Sequence, residues 1–262
     1  MSLITVAYAQ WPEGLTPDSP QWQQIAEQVR AAEADLLITN EMPFGPWLAE
    51  HATFEAQAAQ HSVALHESAL GALARLDVPA VLSSRPLLAD GRLVNEAFVL
   101  DATGYRFVHQ KHFFPEEPGF HEQTWFTTVE PGFDVIEVGK LKLGVLLCTE
   151  LMFNERARHY GRDGADLIAV PRASGTDYRY WDCAAAMAAI VSGAYVISAN
   201  RTGQAEQGQR FGGHGTAYSP SGQPLAVAAK ADDHALLQVV RIDLEQARRQ
   251  KYEYPCYLQN VD

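Results

Sequence analysis

Three residues that could do chemistry follow short apolar stretches of this sequence: Glu41, Lys111 and Cys148. In α/β folds ligands collect where strands end, so a carboxylate, an amine and a thiol at three such ends predict one convergent site. An ionised thiol is a nucleophile, and a nearby amine and carboxylate can supply charge and move protons. Each residue also has a structural alternative, with Cys148 as a small buried hydrophobe and the other two as loop charges or an ordinary ion pair.

The sequence around these residues resembles the nitrilase superfamily of carbon–nitrogen hydrolases. The most specific segment is GVLLCTELMFNE at Gly144–Glu155, which leads into GADLIAVP at Gly164–Pro171. Two further segments are TNEMPFG at Thr39–Gly45 and HQKHFFP at His109–Pro115. The resemblance continues through ANRTG at Ala199–Gly203 and therefore covers nearly the whole chain.

Members of this superfamily carry a Glu–Lys–Cys triad, and the matching positions here are Glu41, Lys111 and Cys148 in the same chain order. The resemblance implies a four-layer α-β-β-α sandwich with mixed sheets. It also implies a homodimer or a higher homo-oligomer. Its implied reaction is hydrolysis of a small, non-peptide amide without a metal or an organic cofactor.

A second glutamate often follows the lysine in this superfamily. The segment FHEQTW at Phe120–Trp125 matches best and points to Glu122. Glu116 and Glu117 lie nearer the lysine and remain rivals for this position.

The implied mechanism assigns a task to each residue. Lys111 favours the thiolate of Cys148, whose ordinary pKa is about 8.5. Glu41 takes the thiol proton and later protonates the leaving ammonia or amine. Lys111 and the backbone N–H of Thr149 hold the developing oxyanion. Water activated by Glu41 and positioned by Glu122 then hydrolyses the thioester.

Several other residues are candidates for binding the substrate. Glu150, two residues after the cysteine, either orients substrate or places negative charge at the start of the following helix. Arg172 follows Leu167–Val170 and pairs either with a substrate carboxylate or with a structural partner. Four aromatic residues either line the pocket or pack in the core, namely Phe44, Phe113, Trp125 and Trp181.

His109 and His112 form an HxxH pair that in isolation suggests a metal site. Because they are predicted on an extended strand end, they do not share a helix face, and we favour structural hydrogen bonding. The three cysteines form no CxxC pair, so a thiolate zinc site and a disulfide framework are both disfavoured.

The pattern of apolar runs predicts alternating strands and helices, hence an α/β class. Pro20 directly follows Ser19, which predicts a capped helix start. The predicted strands are Leu3–Ala9, Leu36–Thr39, one starting at Val81, Leu93–Leu100, Tyr105–Gln110, Val135–Val138, Leu141–Leu147, Leu167–Val170, Tyr195–Ala199, Thr216–Tyr218, Leu225–Ala228 and Leu236–Val240. The predicted helices are Pro20–Ala34, Trp47–Gln60, Leu65–Leu76, Asn154–Arg162, Tyr178–Ser192 and one after Asp243.

The composition is that of a globular protein, with 47% hydrophobic and 20% charged residues in 262. No linker divides the chain, so we expect one domain over residues 1–262. A net charge of −12 argues against nucleic-acid and anionic membrane partners. The absence of a signal-like segment and of a ~20-residue apolar run predicts a cytoplasmic protein.

Four other functions compete with an amidase. A nitrilase or an N-carbamoyl amidohydrolase would use the same site, and the second would suit a carboxylate-binding Arg172. A papain-like hydrolase needs a histidine beside Cys148, for which no local signature exists. A catalytically silent binding protein on the same fold is disfavoured by the intact triad.

Overall fold

A computed structural model describes residues 2–225 and 236–258 of this chain. Its helices are α1 (Pro20–Ala31), α2 (Ala56–Ala74), α3 (Glu122–Trp125), α4 (Asn154–Arg162), α5 (Arg179–Ser192) and α6 (Leu244–Gln250). Its strands are β1 (Leu3–Ala9), β2 (Leu36–Ile38), β3 (Ala80–Ala89), β4 (Arg92–Asp101), β5 (Gly104–Gln110), β6 (Glu116–Glu117), β7 (Phe120–His121), β8 (Ile136–Val138), β9 (Leu141–Val145), β10 (Leu167–Val170), β11 (Tyr195–Ser198), β12 (Thr202–Gln204), β13 (Arg210–Gly212), β14 (Thr216–Tyr218) and β15 (Leu237–Asp243).

Two mixed sheets form the centre of the fold. The larger sheet has the order β15-β1-β2-β3-β4-β5, in which β1, β2 and β3 are parallel and the outer strands antiparallel. The smaller sheet has the order β14-β11-β10-β9-β8, in which β9, β10 and β11 are parallel. The predicted hairpin between β4 and β5 is confirmed, with Asp101 opposite Gly104 at its turn.

The burial pattern defines four layers. One apolar cluster combines alternate residues of both sheets, such as Val6 and Leu143, so the sheets pack face to face. The opposite face of the larger sheet packs on α1 and α2 through residues such as Ile25. The opposite face of the smaller sheet packs on α4 and α5 through residues such as Tyr160. The predicted α-β-β-α sandwich is thereby confirmed.

Local signals fix several element boundaries. The Ser19 hydroxyl accepts the Trp22 N–H at 3.2 Å, which confirms the predicted cap of α1. The predicted strand Leu225–Ala228 lies, apart from Leu225, outside the described residues. Among the residues that the structure describes, no helix is long and apolar enough to cross a membrane.

The prediction of helices at Trp47–Gln60 and Leu65–Leu76 is wrong. A single helix, α2, bridges the expected gap because no glycine or proline interrupts the chain between its two halves. Before it, only Leu48–Glu50 forms a turn of 3₁₀ helix. Trp47 and Leu48 are buried there in a separate aromatic cluster, and this packing replaces a regular helix.

Candidate active site

Lys111 lies between two carboxylates in the interior of the protein. Its Nζ donates to Glu41 Oε1 at 2.9 Å and to Glu122 Oε2 at 2.6 Å, and all three side chains are fully buried. Glu41 Oε2 and Glu122 Oε1 have no hydrogen-bond partner. Each carboxylate therefore holds the ammonium through one oxygen and leaves the other without a protein partner.

Strand ends bring this cluster together. Glu41 follows β2 and Lys111 follows β5, while Glu122 begins α3 after the short β6–β7 hairpin. The Lys111 N–H donates to the Asn95 carbonyl at 2.9 Å, and the Asn95 Nδ2 donates to Glu41 Oε1 at 2.7 Å. Asn95 thus connects Lys111, at the end of β5, to the carboxylate of Glu41, at the end of β2.

Cys148 begins a 3₁₀ helix after β9 and adopts φ +51°, a strained value for a non-glycine residue. Its N–H donates to the Pro171 carbonyl at 2.9 Å, and its Sγ lies 3.9 Å from the Ala173 carbonyl oxygen. The intervening Arg172 carbonyl accepts the Glu41 N–H at 3.3 Å. One short segment after β10 therefore contacts both the thiol and the glutamate.

The electrostatics favour a neutral thiol at rest. Burial, followed by the charge of Glu41, raises the pKa of Cys148 well above its ordinary value, although Lys111 opposes this shift. The expected thiolate-favouring effect of Lys111 is therefore present, but it is outweighed. A proton acceptor beside Cys148 is needed for attack.

Lys111 and Glu122 also shift each other's pKa. Burial lowers the pKa of Lys111, but the charges of Glu122 and Glu41 outweigh it and raise that pKa well above its ordinary value. Burial raises the pKa of Glu122 above its ordinary value, although the charge of Lys111 opposes the change. Lys111 therefore stays protonated at neutral pH, while burial opposes the ionisation of Glu122.

Glu150 has a fully buried carboxylate that is occupied by protein groups. It accepts the N–H groups of Leu147 at 2.8 Å and His112 at 2.7 Å, and contacts His109 Nε2 at 2.7 Å. These bonds tie the residue before Cys148 to the residue after Lys111. They support a positioning role for Glu150 over contact with substrate.

The two histidines that suggested a metal site have other partners. His109 Nδ1 accepts the Phe133 N–H at 3.3 Å, so its Nε2 carries the proton that it donates to Glu150. His112 Nδ1 contacts the Gln110 carbonyl at 2.6 Å. His109, His112 and Glu150 lie close enough to surround an ion, but both ring nitrogens of His109 are already used in hydrogen bonds.

The remaining polar candidates differ in burial. Thr149 is half-buried and lines a surface cavity of about 520 Å³ together with Phe113 and Phe153. Arg172 is fully buried, with its guanidinium 4.7 Å from the Trp181 ring centre. Glu116 and Glu117 are exposed, so the buried contact of Lys111 is made by Glu122.

Two of the aromatic candidates pack in the core. Phe44 contacts the rings of Trp11 and Trp22 in the cluster beneath α1 and α2. Trp125 donates its indole N–H to the His51 carbonyl at 2.7 Å and anchors α3. These contacts favour the packing interpretation for both residues.

Sequence reasoning missed two residues that organise the site. Asn95 is a fully buried polar residue inside β4, between the apolar residues Val94 and Ala97 and beside Glu96. Arg201 donates to the carbonyls of Gly45 at 3.1 Å and Glu41 at 3.3 Å and pairs with Glu13. Its partners lie more than 150 residues earlier in the sequence, so no local pattern reveals that Arg201 supports the loop that contains Glu41.

A sequence profile of carbon–nitrogen hydrolases matches residues 5–252, which include every residue of this cluster. The chain belongs to the carbon–nitrogen hydrolase family. It is therefore a hydrolase that acts on carbon–nitrogen bonds other than peptide bonds. This confirms the resemblance to the nitrilase superfamily.

Known relatives extend over most of the chain. A protein named "Hydrolase in pqqF 5′region" from Pseudomonas protegens is 31% identical over 215 residues, covering 80% of this chain and 72% of the relative. A nitrilase from Pyrococcus abyssi is 30% identical over 160 residues, covering 61% and 57%. The crystal structure of a carbon–nitrogen hydrolase from Helicobacter pylori G27 has a TM-score of 0.84 at 22% identity, covering 99% of this chain and 96% of that one.

Proposed function

We propose that this hydrolase is an amidase that cleaves a small amide through a thioester on Cys148. The observation that carries the proposal is Lys111, buried between Glu41 and Glu122 while each carboxylate keeps one oxygen without a partner. A structural ion-pair cluster would use those oxygens for further protein hydrogen bonds. Carboxylate oxygens without a partner, in a cluster with a cysteine whose backbone is strained, suit proton transfer.

In the first half of the reaction, the Cys148 Sγ attacks the amide carbon while Glu41 Oε2 takes the thiol proton. The carbonyl π electrons move to oxygen, which the Lys111 ammonium and the Thr149 backbone N–H stabilise. When the C–N bond breaks, Glu41 returns the proton to nitrogen, so ammonia or an amine leaves. The acyl group remains on sulfur as a thioester.

In the second half, water attacks the thioester carbon and gives a proton to Glu41. The C–S bond breaks, the thiolate recovers that proton, and a carboxylic acid is released. Glu122 Oε1 is placed to position the water or the departing nitrogen through a hydrogen bond. Neither half-reaction requires a redox step: the original thiol proton leaves with the ammonia or amine, and a proton from water restores the thiol.

An amide is favoured over the related substrates by the general sequence around Cys148, which is more similar to amidase-like members. Relatives are named (R)-stereoselective amidase, nitrilase and N-carbamoylputrescine amidase, so their names alone do not decide among the three reactions. A nitrile would give a thioimidate on the same sulfur. Intact-mass spectrometry with a panel of amides, nitriles and carbamoyl compounds should show an acyl adduct on Cys148 with amides. No covalent adduct with any of them would favour a silent binding protein.

Replacing Glu122 with glutamine is expected to slow turnover by roughly tenfold to hundredfold, less than the loss of a general base. The amide keeps the shape of the side chain but removes the charge that fixes Lys111. With an activated ester or amide, Cys148 should still become acylated and should release its acid slowly. Adduct mass under single-turnover conditions measures both steps.

Two matched variants complete this experiment. Glu41→Gln should acylate poorly, because the proposed proton acceptor is lost. Glu117→Gln makes the same chemical change at an exposed position and should behave as wild type. Normal turnover by Glu122→Gln would contradict its supporting role and make Glu116 or Glu117 the candidate.

Exhaustive chelation is expected to leave amide hydrolysis unchanged. The proposed nucleophile, proton acceptor and oxyanion donors are all protein groups, and the His109–Glu150 hydrogen bond uses atoms that a metal would need. Activity is measured before and after dialysis against a strong chelator. Loss of activity that zinc restores would instead support a metal site at His109 and His112.

Three further features stay predictions of the family resemblance and the composition. They are one domain over residues 1–262, a homodimer and a cytoplasmic location. Sedimentation at several concentrations would test the oligomeric state directly.

A further inference from the structure

Arg172 carries a fully buried guanidinium that protein groups satisfy only in part. Its Nη2 donates to the His214 carbonyl at 2.9 Å, whereas Nε and Nη1 have no hydrogen-bond partner. A buried charge is costly unless it is paired, and a guanidinium offers five N–H donors. Most of these donors remain available to a ligand.

The position of Arg172 relates it directly to the reacting groups. The carbonyls of its two neighbours, Pro171 and Ala173, contact the N–H and Sγ of Cys148, and its own carbonyl accepts the Glu41 N–H. The backbone of Arg172 therefore belongs to the segment that joins the nucleophile to the base. Cys148 is also the foremost of the titratable groups whose charges act on the guanidinium, so a ligand bound by Arg172 would lie near the thiol.

The groups around this guanidinium leave its charge uncompensated. The Trp181 ring covers it at 4.7 Å, and Tyr178, Tyr218 and Asp182 are the other titratable groups whose charges act on it besides Cys148. Asp182 Oδ2 contacts His214 Nε2 at 3.4 Å, and Asp182 forms no ion pair with Arg172 among the described residues. Burial lowers the pKa of Arg172 to about 10, so it remains a cation at neutral pH.

The neighbouring triad does not neutralise it either. Glu41 and Glu122 both pair with Lys111, and among the described residues neither carboxylate forms an ion pair with Arg172. A carboxylate on the substrate would supply the missing partner.

We infer that the substrate is a short amide that also carries a carboxylate, and that Arg172 binds this carboxylate. The inference rests on the proposed amidase reaction and names its substrate class. A planar carboxylate matches the guanidinium in geometry and charge, and Arg is the residue best suited to bind it. The alternative is a structural Arg172 that only anchors the His214 loop.

The test compares charged and neutral amides of equal length. Succinamic and glutaramic acids carry the carboxylate, whereas butyramide and valeramide lack it. We expect wild type to prefer the acids by about a hundredfold in kcat/KM, the loss typical of an unpaired buried charge. Arg172→Met should lose this preference mainly through a higher KM for the acids, so that the ratio of kcat/KM between acids and neutral amides falls toward one. Arg172→Lys should keep part of the preference.

Arg179→Met is the matched control, because it removes the same charge from a side chain that is 71% exposed on the neighbouring helix. It should keep the wild-type preference. Equal rates for acids and neutral amides in wild type would overturn the inference, and so would an equal loss for both classes in Arg172→Met. If that variant fails to fold, the wild-type ratio decides alone. The amidase proposal predicts a Cys148 adduct with neutral and charged amides alike. An adduct with a neutral amide therefore shows that only the inference about Arg172 has failed, and not the amidase proposal.

Discussion

Replacing Cys148 with alanine is expected to abolish amide hydrolysis, with a loss on the order of 10⁵–10⁶ in kcat, as for other covalent nucleophiles. In the proposed mechanism the thiol forms the acyl-enzyme, and among the described residues the carboxylates around Lys111 bond to no hydroxyl or second thiol. The fold should persist, because alanine has a similar size and the Cys148 side chain makes one weak hydrogen bond, to the Ala173 carbonyl. Steady-state rates and a thermal melt measure the two properties.

The other two cysteines supply the control. Cys183 is exposed and Cys256 is partly buried against the Ile190 carbonyl, and neither follows a strand of the smaller sheet. Cys183→Ala and Cys256→Ala should retain wild-type activity and the acyl adduct. Substantial hydrolysis by Cys148→Ala would remove the basis of the proposed mechanism.

Replacing Lys111 with methionine is expected to lower kcat by roughly a hundredfold to a thousandfold, the cost of losing one oxyanion donor. Methionine fills a similar volume but removes the only cation that contacts Glu41 and Glu122 among the described residues. The two carboxylates would then repel each other unless one takes up a proton, which disturbs the proton acceptor as well. Kinetics with a small amide measure the loss, and circular dichroism checks the fold.

Lys140→Met removes the same charge at an exposed position in the β8–β9 turn and should leave kcat unchanged. A Lys111 variant within a few-fold of wild type would mean that this lysine is structural. The pH dependence of acylation adds a sharper criterion. Because Lys111 opposes the raised pKa of Cys148, the loss of Lys111 should move the pH profile of the acylation rate to higher pH.

Apolar periodicity and chain order allowed much of the fold to be predicted. The parallel strands β1, β2, β10 and β11 are short apolar runs in buried sheets, and such runs leave a clear signal in any sequence. The same reasoning failed at α2, where nothing in the sequence marks the difference between two helices and one. The distinction depends on the tertiary packing of Trp47 and Leu48 outside the helix.

The residues of the site divide in the same way. Glu41, Lys111 and Cys148 could be selected from the sequence because each follows a strand and lies in a segment that resembles the family. Only the tertiary structure decided that Glu122 and not Glu116 reaches Lys111, because a hairpin and a short helix turn that carboxylate inward.

The charge and protonation state of each group also depend on the tertiary structure. From the sequence, Lys111 was expected to make Cys148 a thiolate, but the thiol is buried beside Glu41, and burial has the larger effect on its pKa. The sequence left two roles open for Glu150, a substrate contact and a charge at a helix start, and its three hydrogen bonds favour positioning. The sequence by itself determined which groups are available for chemistry; desolvation and long-range contacts, which depend on the assembled fold, decided the state in which each group is held.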